Sequence, residues 1–221
     1  PGMELHAKYT VFAEGARGHL GKRLMQKFDL NKGRDPQAYG IGIKEIWQVP
    51  AEQHKKGLVV HTAGWPLDSD TYGGSFLYHL DNNQIALGLV VGLDYQNPYL
   101  SPFEEFQRYK THPEIAKFLK GGKRLSYGAR AITAGGVLSL PQLYFKGGVL
   151  VGCEAGFLNA SRIKGSHAAI KTGMMAAQAI ADAIKNGRER DELPEYEVAF
   201  DASWLKEELW KARNFKQWFK K

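Results

Sequence analysis

The apolar positions of the chain change their period along its length. Leu5 to Gly15 reads as a strand ending in a turn, with Val11 and Phe12 as buried-strand residues and Glu14–Gly15 marking the bend. Leu20, Leu24, Met25 and Phe28 then recur at helical spacing. From Tyr39 the pattern alternates. The stretches "YGIGIKEIWQV", "GLVVHTAGW", "GGSFLYHL" and "QIALGLVVGLDY", separated by turns, predict an antiparallel sheet reaching to about Thr133. One helical interruption starts at "SPFEEFQRY", with Ser101 as N-cap, Pro102 at the first helical position and Glu104 completing a capping box. His112–Pro113 breaks it, and Gly121–Gly122 ends a second short helix.

From Val149 the reading is strand, glycine-rich turn, small-residue loop and helix, in "VGCEAGFLNASRIKGSHAAIKTG". That helix puts Ile170, Met174, Ala177, Ala181 and Ile184 on one face and stops at Gly187. After the polar break "NGRERDELPEY" a last helix is predicted through "WLKEELWKARNFKQWFKK". Leu205, Leu209, Ala212, Phe215 and Phe219 share one side of it. Trp204, Trp210 and Trp218, with Lys211, Lys216, Lys220 and Lys221, admit an interfacial helix on anionic lipid; packing on the rest of the protein is the plainer reading. The expected architecture is therefore α/β flanks, residues 1–34 and 134–221, around a mostly antiparallel, sheet-rich insert, residues 35–133, an α+β combination.

Composition narrows the classes. The 221 residues suffice for one or two domains, and 43% hydrophobic with 24% charged residues is ordinary for a globular chain. The net charge of +7 suits an anionic cofactor, an acidic partner or a lipid surface. Lys and Arg are spread rather than clustered, which argues against nucleic acid. Cys153 is the single cysteine, so neither an internal disulfide nor an iron–sulfur cluster held by this chain alone is expected. The longest apolar run, Ile85–Leu93, is under half the ~20 residues of a membrane span, and no signal peptide is visible.

Three stretches carry candidate chemistry. Gly147, Gly148 and Gly152 let backbone approach a bulky ligand, and Gly165–Ser166 opens a helix whose free amides would stabilise electron density gathering on a flavin ring. In "FAEGARGHL" a strand ends in acid–glycine, and Arg17 follows at a distance suited to a pyrophosphate. In "WPLDSDTYGGSFLYHL" a turn at Tyr72–Gly73–Gly74 exposes backbone among Trp65, Phe76 and Tyr78, where the oxygens of a flat ring would bond. For each, an ordinary turn with core residues stays open. His61 and His79 lack a third partner for zinc, no residue is read as catalytic, and no nucleophilic triad is visible.

Taken in order, "FAEGARGHL", "GWPLDSDTYGGSFLYHL", "GLVVGLDYQNPYLSPFEEFQRYKTHP", "GGKRLSYGARAI" and the late glycine motif resemble the electron-transfer-flavoprotein:ubiquinone oxidoreductases, over nearly the whole chain. Broader relatives are the flavin-dependent hydroxylase-like and geranylgeranyl-reductase-like proteins. The resemblance implies a partial hydroxylase-like FAD domain and an inserted ubiquinone domain. It implies an electron-transferring-flavoprotein dehydrogenase of fatty acid and amino acid oxidation. Its electrons pass from reduced electron-transfer flavoprotein through FAD and a [4Fe–4S] cluster to ubiquinone. It implies monotopic attachment to the cytoplasmic face of a bacterial inner membrane or the matrix face of the mitochondrial one.

By the same resemblance Tyr72, Gly73 and Gly74 hold the quinone, and Glu14, Gly15, Gly152, Cys153, Gly156, Phe157, Asn159, Gly165 and Ser166 belong to the FAD site. Related flavoproteins usually carry Asp where Cys153 stands. The GxGxxG segment and the cluster cysteines are not in this sequence, so the chain alone is expected to bind FAD weakly or not at all and to be inactive. Two rival readings are a cofactor-free quinone- or membrane-binding module and another FAD-dependent reductase of the geranylgeranyl-reductase-like group.

Overall fold

A computed structural model describes residues 2–219, the side chains of residues 218 and 219 excepted. The strands are β1 (Thr10–Phe12), β2 (Tyr39–Gln48), β3 (Val59–Ala63), β4 (Gly73–His79), β5 (Gln84–Gly92), β6 (Lys123–Thr133), β7 (Tyr144–Phe145) and β8 (Gly148–Leu150). The helices are α1 (His19–Lys27), α2 (Pro102–Thr111), α3 (Pro113–Leu119), α4 (Gly152–Ala155), α5 (Ser166–Lys185), α6 (Pro194–Asp201) and α7 (Trp204–Lys211). Two compact units result: Pro1–Ala38 with Ile132–Lys216, and Tyr39–Ala131 with the residues from Gln217 on.

In the first unit β8 lies between β1, parallel to it, and β7, antiparallel to it. Val149 and Leu150 are fully buried, and Phe157, Ala168, Ala176, Leu193, Tyr196, Leu205 and Leu209 build the core around them. α5 turns a different face inward from the one its bulky residues predict. Ala168, Thr172, Met175, Ala176 and Ala183 are buried, whereas Ile170 and Met174 are 65% and 63% exposed. Close packing explains the choice, because a Cβ on Gly152 would stand 3.2 Å from the Cβ of Ala169. α1 behaves likewise: Gly21 is its buried residue, Leu24 and Met25 pack on the core, and Leu20 is 53% exposed.

The predicted last helix is cut short: α7 ends at Lys211, so Ala212 and Phe215 of the expected stripe lie beyond it. Ala202–Ser203 parts α7 from α6, and the Ser203 hydroxyl caps α7 by accepting from Lys206 N–H. Leu205 and Leu209 are core residues, so the proposed interfacial stripe loses its first two members to packing. The Trp218 and Phe219 side chains, Lys220 and Lys221 lie outside what is described.

In the second unit the sheet order is β3-β4-β5-β2-β6, and the pairs β2/β5, β3/β4 and β4/β5 are antiparallel. One face carries Leu77, Ile85, Leu87, Leu89 and Val91 into a core closed by Phe106 and Tyr109 of α2 and Ile115 and Leu119 of α3. Ser101 caps α2 and His112 caps α3, as the S-P and H-P pairs require.

One charged side chain ties this core together. Glu45 of β2 is 2% exposed and accepts from Lys110 Nζ of α2 (2.9 Å), Arg124 of β6 (3.2 Å) and Trp47 Nε1 (2.7 Å). Burial alone would raise its pKa; the bonds from Lys110, Trp47 and Arg124 outweigh that and hold it below the ordinary carboxylate value. A carboxyl lowered on folding adds stability above its unfolded pKa of about 4.3, and loses it as pH falls through the folded value. Glu45→Ala leaves Lys110, 13% exposed, without its carboxylate, and is expected to cost about 3–5 kcal/mol in urea unfolding at pH 7. The loss should shrink in the same assay as pH drops below about 4.

Candidate functional site

The loops after β1 and β8 leave the carboxyl ends of two adjacent parallel strands, Thr10 pairing with Gly148 and Phe12 with Leu150. Open α/β sheets bind ligands at that position. Both loops need backbone that side chains resist. Gly152 and Gly156 adopt φ of 56° and 102°, and Gly15 adopts 85°. Thr172 Oγ1 of α5 accepts from Gly152 N–H at 3.0 Å and fixes the second loop against the helix. Cys153 sits below the start of α5, its Sγ 3.6 Å from where a Cβ on Gly165 would stand. Burial pushes its thiol pKa up, so it packs as a neutral group. No side chain caps α5 at Gly165, which leaves the first amides of a twenty-residue helix, beginning with Ser166, for water or an anionic group.

Glu14 turns back over its own loop, and its Oε2 accepts from Leu20 N–H (2.9 Å) and Gly21 N–H (3.0 Å), capping α1. Arg17, in the same loop, has φ of 62°. Beneath lies a carboxyl that sequence reasoning passed over. Glu154 of α4 is 5% exposed and pressed on Gly18 and Gly21, where any Cβ would overlap it. Its Oε2 has no hydrogen-bond partner. Burial first, then the charge of Glu14, raise its pKa. The available signal was Gly18 and Gly21, three apart, at the start of a helix otherwise made of long side chains.

Glu14, Gly15, Gly152, Cys153, Gly156, Gly165 and Ser166 thus belong to connected loops and helix starts. Two other candidates face away. Phe157 is 1% exposed and stands edge-on to Phe200 in the core. Asn159 spends its side chain on its own loop: Oδ1 accepts from Ser161 and Arg162 N–H, and Nδ2 donates to Glu208 at 2.7 Å. Both hold the chain after α4 in place through packing and hydrogen bonds.

In the sheet unit the predicted turn at Tyr72–Gly73–Gly74 is the entry to a strand, with Gly73 and Gly74 opening β4. Gly92 N–H donates to Tyr72 (2.8 Å) and His79 N–H to Leu58 (2.9 Å). Alternation therefore directs the even residues of β4 toward β5 and the odd ones toward β3. Gly74 is tied to Val90, whereas Gly73 points to where β3 has just ended at Ala63.

The face opposite α2 and α3 carries Gly42, Gly74, Gly88 and Gly92, low ground beside an aromatic row. Phe76 stacks on Tyr78 at 4.9 Å and lies across Gly88, and Tyr78 Oη is 3.2 Å from His61 Nε2. Trp65 is not in this row. It lies on the helical side, under Arg108 and beside His112. His79 also faces the helices, accepting from Lys55 N–H and standing edge-on to Phe118, so it does not converge with His61. Among the described residues no three His, Cys, Asp or Glu side chains gather for a metal. No described helix is long and apolar enough to cross a membrane.

Known proteins match this arrangement. A family described as ETF-QO, ubiquinone-binding, matches residues 39–132. Over 97% of its length the chain is 61% identical to electron transfer flavoprotein-ubiquinone oxidoreductase of Pseudomonas aeruginosa and 53% identical to the mitochondrial one of Homo sapiens. It spans 39% and 36% of those relatives' own lengths. A geranylgeranyl bacteriochlorophyll reductase-like protein from Thermoplasma acidophilum superposes with TM-score 0.74 over 96% of this chain and 50% of that one, at 16% identity. A flavoprotein/dehydrogenase from Cytophaga hutchinsonii does so with TM-score 0.54 over 95% and 47%, at 17% identity. At such identities the likeness is one of fold. The resemblance read from the motifs is borne out, as is the expected mixed fold with a mostly antiparallel sheet.

Glu154 supplies a test of the first unit. A carboxyl raised on folding costs stability once pH exceeds its unfolded pKa of about 4.3, because the unfolded chain ionises and the folded one resists. Glu154→Gln keeps the shape and removes that cost. Its melting temperature at pH 7 is expected to exceed that of the parent by about 2–4 °C, roughly 1 kcal/mol, and the gain should vanish near pH 4. Calorimetry at both pH values checks it.

Proposed function

We propose that this chain is part of an electron-transfer-flavoprotein:ubiquinone oxidoreductase, and that it contributes the quinone-binding sheet and the later half of the flavin cradle. The observation that carries the reading is that the ubiquinone-binding match falls on residues 39–132, the sheet with the bare, aromatic-edged face. The residues of the first unit fit FAD: left-handed glycines at 15, 152 and 156, and an uncapped start to α5, at the carboxyl ends of parallel strands. FAD, when bound, supplies reversible electron storage.

The chain's own groups would bind and tune. The amides at Ser166 favour negative charge beside the ring, Gly15 and Gly152 let backbone approach, and Arg17 offers charge to a phosphate. Cys153 is a neutral neighbour and, having no charge, a weaker acceptor than Asp would be. In the sheet unit the quinone ring would lie on the glycine-lined face between Tyr72 and Phe76, with Gly73 backbone meeting a carbonyl oxygen. No acid–base residue is required, since the protein's work is positioning. Reduced electron-transfer flavoprotein is the proposed donor. The [4Fe–4S] cluster would be held by residues outside this sequence. Attachment to one leaflet, at the bacterial inner or mitochondrial inner membrane, is part of the same proposal.

The longer protein carrying this segment is expected to reduce a short-chain ubiquinone when given reduced electron-transfer flavoprotein. Reduction driven by a nicotinamide without that donor would favour the geranylgeranyl-reductase-like alternative, and a colourless protein lacking 450 nm absorbance would favour the cofactor-free module. Gly74→Leu should raise the quinone KM in that assay. A Cβ there comes within 2.8 Å of Thr62 O, so melting temperature is the control for misfolding. For the 221-residue chain alone, fluorescence titration with FAD should show no stoichiometric complex at submicromolar concentration. Several charge-assisted bonds, about 1.5–3 kcal/mol each, belong to a segment it does not contain.

A further inference from the structure

Positioning accounts for the electrons that a quinone takes up, but the quinol it becomes also carries two added protons. Water can deliver them slowly, and a side chain beside the ring delivers them faster. Strand register lays the glycine face out in rows. Ala63 of β3, Gly74 of β4, Val90 of β5 and Gly42 of β2 pair across the sheet as one row with no polar side chain, the floor proposed for the ring. The next row is His61, Phe76, Gly88 and Lys44. His61 and Gly74 are therefore diagonal neighbours on adjacent strands, about 7–8 Å apart, a span that a ring covers.

His61 is exposed, yet held. Its Nε2 lies 3.2 Å from Tyr78 Oη, and the Tyr78 ring stacks on Phe76. Among the described residues its Nδ1 has no hydrogen-bond partner. The other proton-bearing groups on this face are worse placed. Burial first, then the charge of Asp94, raise the pKa of the Tyr72 phenol, so it keeps its proton. Lys44 ends its row two strands beyond Phe76, about 10 Å of sheet away. His79 faces the helices. Imidazole is the side chain that both gives up and regains a proton near neutral pH.

We propose that His61 is a catalytic residue of quinone reduction, giving a proton to the ring oxygen that lies toward β3. This role rests on the reading of the glycine face as the quinone site. As two electrons arrive from the reduced flavin, the Nδ1–H bond of the His61 imidazolium breaks and an O–H bond forms on the quinone. Nε2 keeps its proton and donates it in a hydrogen bond to Tyr78 Oη. A neutral imidazole remains, and water at its exposed edge returns the proton. The second proton of the quinol comes from water. Tyr78 is a positioning residue, fixing which nitrogen is free.

The test uses the longer protein carrying this segment, reduced by its flavoprotein donor and then mixed in a stopped-flow with excess short-chain ubiquinone. The return of the flavin's visible absorbance gives the rate of the quinone step alone. His61→Ala should slow that step about 10- to 100-fold, and His61→Gln, which is polar but has no proton to transfer, should slow it as much. Binding of oxidised short-chain ubiquinone, read by tryptophan quenching, should stay within about twofold of the parent. Added imidazole should restore much of the lost rate in His61→Ala and leave the parent unchanged, which a structural role does not produce. Tyr78→Phe keeps the stack on Phe76 and should slow the step about two- to fivefold. An unchanged rate in His61→Ala, a loss that imidazole does not restore, or a loss traced to weaker quinone binding would each overturn the proposal and leave the quinone face in place. A parent protein that passes no electrons to ubiquinone overturns the reading of that face, and this role with it.

Discussion

Three residues of parallel pairing hold the first unit in its working form. Thr10–Phe12 and Gly148–Leu150 are about 138 residues apart, and their ladder sets the loop after Phe12 beside the loop after Leu150. Val151 N–H donates to Phe12 O at 3.1 Å and carries the pairing to the point where the chains part. From there each loop is shaped locally, by Glu14 over the start of α1 and by Thr172 on Gly152. A slip of one residue would turn Val149 out of the core and send the Gly152 turn to the wrong side. The cradle is therefore a consequence of register.

The sheet unit solves a different problem, keeping two faces of one sheet distinct. Strand alternation sends Leu77, Leu87 and Leu89 to the helices and leaves glycines and Phe76 on the reverse. Glu45 makes that choice harder to undo, because reversing β2 would strand Lys110 and Arg124 without their carboxylate. The aromatic row and the helix-packed face can then differ in chemistry although only one layer of backbone lies between them.

Much of this was legible in the sequence, for physical reasons that can be named. The strands β2, β4 and β5 and the caps at Ser101 and His112 depend on near neighbours, and the structure reproduces them, although burial alternates only along β4. The inward face of α5 was not legible. Periodicity favours the bulky Ile170 and Met174, but close approach to Gly152 selects alanines, and that approach is a tertiary fact. Glu45 and Glu154 look like surface residues until their neighbours are known. In the candidate site, the late motif did not separate Gly152 and Gly165, which lie at the loop after β8 and the start of α5, from Phe157 and Asn159, whose side chains serve the core and their own loop. The end of α7 at Lys211 was not legible either, because apolar residues continue at helical spacing in the sequence beyond it.

The outward face of α5 has a consequence for the chain as a colloid. Ile170, Met174 and Ile184 stand toward water on one helix, while the whole chain carries a net charge of +7. Like charge keeps copies apart in dilute buffer. Salt shortens that repulsion to about 10 Å at 0.1 M and leaves apolar attraction intact, and sulfate strengthens it. Added electrolyte therefore weakens the repulsion between copies while leaving the attraction between such apolar faces in place.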